Sequence, residues 1–333
     1  MHPPLPRRTS SNDAVQIWQF LGTAYFSVGI FGSLLSELLP PWLPVRDLTL
    51  YGRLLRAPAS LHAPSSPSSP STASSVIAVL VQRVQSATIP KSSAFTSFYV
   101  FAVCVSIAVI AIAHEAGCAR GALGVQALFL AHVTRRLLEC LLVVAPSSAR
   151  VPVALAAFGA MHYAFAAVAL LPTGGCARGV DALAADPAAA IAALMLLVAA
   201  SAAQARAHCA FGAIGRRRAR VGKLDAYPLP SRADSRLFSL CIAPHYAAEM
   251  LIYAAFVAFR AAVATPGAGI RGGRVFVGAL HAATPTLVIW VVANLGVTAH
   301  RLRDAYLKAD PKADVPPALV PRCCSSRTRT HSR

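Results

Sequence analysis

Residues 122–144 read ALGVQALFLAHVTRRLLECLLVV, and the fold turns on how that stretch is understood. Its length meets the ~20 residues that a helix needs to cross a bilayer's hydrocarbon core. Yet it holds His132, Arg135, Arg136 and Glu139. Their spacing of i, i+3, i+4 and i+7 puts all of them on one helix face. A charge at mid-bilayer costs roughly 2.5–3.5 kcal/mol on insertion scales, so such residues need partners or a water-filled cavity. One Arg–Glu pair reads as a structural neutralisation. A whole face with a histidine and two arginines points instead to a functional cavity.

The remainder of the chain agrees that this is a membrane helix. Of its 333 residues, 56% are hydrophobic and 13% charged, with a mean hydropathy of +0.56. A soluble domain carries about a quarter charged residues. The composition excludes an ordinary soluble enzyme, and it excludes disorder for most of the chain. The net charge of +18 would suggest nucleic acid in a soluble protein. Here the basic residues lie between apolar runs, so they report membrane topology and no nucleic-acid partner is expected.

Apolar segments fall at about 15–39, 95–113, 122–144, 151–171, 188–212, 240–264 and 275–300. The expected fold is all-α, a polytopic membrane protein with a seven-transmembrane-helix bundle. Val15 to Leu39 is too long for a signal-peptide core and reads as the first membrane helix. Seven spans put the termini on opposite sides. The connections at 40–94, 145–150 and 213–237, with the tail after 300, hold 21 Lys+Arg; the opposite side holds six. The positive-inside rule makes the 21-charge side cytosolic, with the C-terminus there.

Composition also sets the organisation. An N-terminal tail covers 1–14. The first helix and a Pro/Ser-rich cytosolic connection cover 15–94; Ala57 to Ser75 within it is a flexible linker by composition. Spans two to five take 95–200, a C-terminal region 201–321 and a basic tail 322–333. The eight cysteines show no CxxC and no metal-like spacing, so no metal site is expected. Cys118 and Cys176 are the pair able to meet on the lumenal side. Cys323 and Cys324 lie in the basic tail, a possible palmitoylation site.

Polar residues recur on the later spans. The fourth holds Met161-His162-Tyr163, and the fifth has Gln204 and His208 one turn apart. In the sixth, Tyr246, Glu249 and Tyr253 share a face, with His245 one turn before Glu249. The seventh ends with Asn294, His300, Arg301, Arg303 and Tyr306. Polar faces from five helices at one depth describe a cavity. Its arginine excess suits phosphates. No GxGxxG, GxxxxGK[ST], HExxH or GxSxG motif is present. An anionic cofactor would be held by the helix bundle itself.

At these residues the sequence resembles the steroid 5-alpha-reductase family, and within it the polyprenol reductase branch. The matching stretches are YGR at 51–53, PKSSAFTSFYV at 90–100, HVTRRLLECL at 132–141, MHYAFA at 161–166, QARAH at 204–208, YPLP at 227–230, LFSLCIAPHYAAEMLIY at 237–253, and NLGVTA with AYLK within 294–308. HxxRRLxECL together with PHYxxEMxIY is the specific part. The resemblance implies a seven-helix membrane fold, endoplasmic-reticulum residence, a polyprenyl lipid substrate, and NADPH held on the cytosolic side by the 201–321 region. By position it implies that Gln204, His208, Arg216, His245, Tyr246, Glu249, Asn294, Arg303 and Tyr306 form the cofactor pocket. Glu139 occupies the family's acid position facing the substrate. The chain departs from the family at LPSRADSRLF (229–238), which is longer and lacks the glycines, at Leu302-Arg303, and at Gly215-Arg216.

The implied activity is reduction of the alpha-isoprene double bond of a polyprenol or polyprenal, giving dolichol or dolichal for protein N-glycosylation. A steroid reductase or a trans-2-enoyl-thioester reductase would share the fold. Hydride addition to an alkene requires conjugation to a carbonyl, which favours the aldehyde as the immediate substrate. The oxygen that gains charge needs a proton donor. Desolvated Glu139 is the expected donor, with Arg135 and Arg136 as competing neutralisers and His132 on the same face. A transporter would carry polar faces through the whole depth and repeated halves; neither is seen. A non-catalytic scaffold has no reason to hold this charged face.

Overall fold

A computed structural model describes residues 11–38, 87–118, 120–145, 149–171, 186–221, 229–231, 233–263, 274–312 and 315–319. The described chain is mostly helical. Its helices are α1 (Ser11–Leu38), α2 (Lys91–Glu115), α3 (Arg120–Leu142), α4 (Val153–Ala169), α5 (Pro187–Arg220), α6 (Pro244–Val263) and α7 (Arg274–Ala309). A short antiparallel ribbon of β1 (Thr88–Pro90) and β2 (Arg150–Pro152) interrupts the all-α pattern.

Seven helices therefore lie where seven apolar segments were read. Among the described residues, four regions are long and apolar enough to cross a membrane: α2, α5, α6 and Ala283–Lys308 of α7. α4 has 17 residues, and α3 carries Arg120, Arg135, Arg136 and Glu139. Large aliphatic side chains such as Ile107, Leu142, Ile191, Met195 and Val198 are exposed. Exposed apolar surface on long helices is the mark of a chain embedded in lipid.

Several boundaries differ from the sequence reading. α5 runs unbroken across residue 200 and on to Arg220, so Arg216, Arg217, Arg218 and Arg220 extend a helix. The connection expected at 213–237 begins only after them. Basic residues in the last turn suit the negative end of the helix dipole, and the helix runs on through Gly212 and Gly215. α6 starts at Pro244, where proline fits the first helical turn. α7 passes residue 300 and ends at Ala309. Most of the 40–94 connection, Cys176, Cys323 and Cys324 lie outside the described residues.

Local chemistry explains the ends. At α5 the Asp186 side chain accepts from the Ala189 amide at 3.0 Å, and Pro187 follows it. α2 ends in a Schellman turn: Gly117 adopts φ 69°, its amide reaches the His114 carbonyl, and the Cys118 amide reaches Ala113. The ribbon ties the starts of α2 and α4 together, with Ile89 opposite Val151. Arg150 strengthens it by donating to the Thr88 hydroxyl at 2.8 Å and carbonyl at 2.6 Å.

The main core is rich in aromatic side chains, among them Phe26, Phe98, Phe129, Phe165 and Phe256. α1 docks on α4 through Tyr25, whose hydroxyl donates to the Phe158 carbonyl at 2.7 Å. The free carbonyl of Leu171 beyond α4 accepts from Gln19 and from Arg260, each at 3.1 Å. Arg260 is thereby anchored, while Arg206 stays exposed. A second cluster gathers Ile242, Ala243, Ala299, Val315 and Ala318. Between α5 and α6, Asp234 takes the Ser231 amide at 2.9 Å and pairs with Arg217. Partial burial pushes the Asp234 carboxyl up, but these donors hold it below the usual carboxylate range.

The approach of α5 to the end of α3 depends on Gly212. A Cβ there would lie 2.3 Å from the Val143 carbonyl oxygen. Gly212→Ala is expected to destabilise the protein by about 1–3 kcal/mol through overpacking. Gly124, with nothing within 4 Å, should tolerate alanine and gain up to about 1 kcal/mol of helix propensity. Thermal melting of both variants in detergent checks the contrast.

Candidate functional site

A cavity of about 150 Å³ lies among α2, α3, α4, α5, α6 and α7. One wall is aromatic: Phe95, Phe98 and Tyr99 from α2, Tyr163 from α4 and Trp290 from α7. The lining also holds Arg136 of α3, Gln204 and His208 of α5, and His245, Tyr246 and Glu249 of α6. Asn294 and Thr298 of α7 complete the polar side.

Helical spacing produces this convergence. On α5, Gln204 and His208 are one turn apart and face α3 and α6. On α6, His245, Glu249 and Tyr253 recur every fourth residue and therefore share one wall.

Behind the polar wall lies an ion network. Glu139 takes Arg135 on one carboxylate oxygen and Arg136 on the other. His208 Nδ1 is 2.8 Å from the second oxygen. Gln204 links the next layer: its carbonyl oxygen accepts from Arg135, and its amide donates to Glu249. His132 Nε2 stands 3.5 Å from Glu249, longer than a hydrogen bond. Two arginines thus face two carboxylates, bridged by one neutral amide.

The residues expected from sequence divide accordingly. Arg136, Gln204, His208, His245, Tyr246, Glu249 and Asn294 all meet the cavity. His132, Arg135 and Glu139 are not on its wall. Glu139 was expected to face the substrate as a protonated acid, and the geometry differs. A carboxylate clamped by two guanidiniums is held as an anion, because removing its charge would leave buried arginines uncompensated. Arg216 is at the α3–α5 contact, donating to the Val143 carbonyl at 2.9 Å. Tyr306 is buried in the second cluster, and Arg303 lies on the same helix beyond the cavity. Its Nε is buried with no hydrogen-bond partner among the described residues, as is His245 Nδ1.

Sequence reasoning missed Tyr99 and Trp290. Tyr99 receives Arg136 Nε at 3.1 Å, and the guanidinium lies 5.2 Å from its ring centre. Trp290 donates to His162 at 3.1 Å. An aromatic with one polar atom inside an apolar span carries no spacing signal, so neither stood out. Among the described residues there is no group of His, Cys, Asp and Glu arranged to hold a metal.

No family model and no curated protein matches the chain.

The network makes a direct prediction. Glu139→Gln leaves Arg135 and Arg136 without their carboxylate and should destabilise the protein by roughly 3–5 kcal/mol. Adding Arg135→Met removes one uncompensated charge and should recover part of the loss. Melting temperatures of the single and double variants decide it; an unaltered single variant would remove the network from the fold's stability.

Proposed function

We propose that this chain is a seven-span membrane reductase that uses NADPH to saturate the alpha-isoprene double bond of a polyprenyl substrate. The immediate substrate is the aldehyde, polyprenal, and the pathway product is dolichol for protein N-glycosylation. The observation that carries the reading is a single cavity lined both by aromatic side chains and by hydrogen-bonding groups. A prenyl chain suits the first and a nicotinamide with its ribose suits the second. The motif likeness at 132–141 and 237–253 supports the same assignment.

The residues fit the cofactor. His245 Nδ1 is a buried polar atom on the cavity wall with no hydrogen-bond partner among the described residues. Such an atom is costly to leave unmade, and a polar ligand supplies what it lacks. Gln204, His208, Tyr246, Glu249 and Asn294 would hold the cofactor with it. Arg303, with its own unpartnered Nε, offers a guanidinium suited to a phosphate. When bound, NADPH supplies the hydride.

The chain's own work is binding, orientation and exclusion of water. Phe95, Phe98, Tyr163 and Trp290 keep the apolar wall dry, which strengthens each electrostatic contact inside. Arg136 is held by Glu139 and Tyr99. It places a fixed positive charge beside the cavity, where negative charge grows on the substrate oxygen. The proposed location is the endoplasmic-reticulum membrane with the C-terminus cytosolic.

Two measurements test this. Purified protein given NADPH and polyprenal should yield a product heavier by two hydrogens in mass spectrometry, with NADH a poor substitute. His245→Ala should raise the NADPH requirement while the protein still melts normally. No product would end the reductase reading. A glycosylation tag placed after Arg333 should stay unmodified; efficient modification would reverse the orientation.

A further inference from the structure

The hydrogen-bond polarity of the cavity wall can be followed atom by atom. Trp290 Nε1 lies 3.1 Å from His162 Nδ1. An indole N–H only donates, so Nδ1 accepts and the imidazole is neutral with its proton on Nε2. That nitrogen is 3.0 Å from the Tyr253 hydroxyl. It therefore donates, and the Tyr253 oxygen accepts. The phenol's own proton is left to point elsewhere. Tyr253 is buried on the cavity wall, and its hydroxyl makes no other hydrogen bond among the described residues.

We propose that Tyr253 is the hydrogen-bond donor to the oxygen of a carbonyl ligand, and that Trp290, through His162, fixes it in that role. The inference rests on reading the cavity as a prenyl-enal site and names the group that meets the enal's oxygen. A neutral carbonyl is the class that fits. It needs only a donor, and a donor is what the relay leaves free. Glu249 is one turn before Tyr253 on the same wall, and its charge disfavours a carboxylate or phosphate there. Tyr253 is the catalytic residue in this account, since it touches the reacting group; His162 and Trp290 are positioning residues.

The same polarity argument applies to Tyr99, whose oxygen accepts from Arg136. Its ring centre is 5.2 Å from that of Tyr163, which places a second phenol beside it. Tyr253 has the longer fixed relay, and Tyr99 is the rival that the experiment must separate.

The test uses the full chain without nicotinamide and geranial as the probe, a short prenyl enal. Infrared difference spectra with carbonyl-labelled geranial should show the bound C=O stretch shifted down from its position in detergent. Tyr253→Phe should return it to that position while the protein still folds, with a melting temperature lowered only as far as loss of the His162 partner requires. His162→Leu should weaken the shift. His162→Gln should restore it, because an amide can accept from Trp290 and donate to Tyr253. With NADPH present, Tyr253→Phe should lose about 10²–10³-fold in turnover, the scale for removing one preorganised donor. A shift that survives Tyr253→Phe, or that Tyr99→Phe abolishes instead, overturns the assignment. So does a wild type with no shifted band. A wild type that shows the Tyr253-dependent shift yet reduces no enal keeps the donor and ends the reductase reading. Normal reduction by Tyr253→Phe does the reverse.

Discussion

Charge buried among apolar helices must be compensated, and in this protein that constraint is met at one place. Arg135, Arg136, Glu139 and Glu249 form a neutral set across α3 and α6, with Gln204 of α5 inserted between Arg135 and Glu249. An amide is the right splice because it accepts on one side and donates on the other. Replacing either charge alone would strand its partner at several kcal/mol. The three helices are therefore locked in one register, and every cavity group carried by α5 and α6 takes its position from that lock.

The aromatic wall follows from the same geometry. With α3, α5 and α6 fixed, α2 and α4 close the opposite side, tied at their starts by the β1–β2 ribbon. Gly159 of α4 lets Phe98 approach, its missing Cβ standing 3.0 Å from the ring. α1 then packs Gly29 against Trp290, where a Cβ would lie 2.5 Å from the indole. Trp290 is thus held from behind while its N–H reaches forward to His162. Packing on one side of the indole sets hydrogen-bond direction on the other.

Much of this was legible in the sequence, for reasons that are physical. Helical periodicity put His132, Arg135, Arg136 and Glu139 on one face and placed Gln204, His208, His245 and Glu249 within reach of a common depth. Helix ends were less legible. The basic run Arg216–Arg220 looks like a loop by charge, yet it continues α5, because arginine is a good helix former and its charge suits that end. What spacing could not give was which side of a polar face looks inward. Glu139 shares its face with Arg136, and only the packing of α5 decides that the arginine meets the cavity while the carboxylate stays behind it. Tyr99 and Trp290 were hidden for another reason: each has a single polar atom, and its meaning depends wholly on a partner from a distant part of the chain.

The separation of charge from contact has a chemical consequence for the proposed reaction. If Glu139 met the substrate, its charge would oppose the negative charge developing on the carbonyl oxygen. Placed behind Arg136, it orients the guanidinium instead. The cavity lining near the network then includes neutral phenols with fixed partners, Tyr99 with Arg136 and Tyr253 with His162, of which Tyr253 is the proposed donor. Preoriented neutral donors backed by a compensated cation stabilise growing negative charge with little reorganisation. They also leave the resting cavity without a strong net field to trap water or ions. An arrangement of this kind needs Glu139 to be structurally rigid and chemically silent, and it lies off the cavity lining behind Arg136.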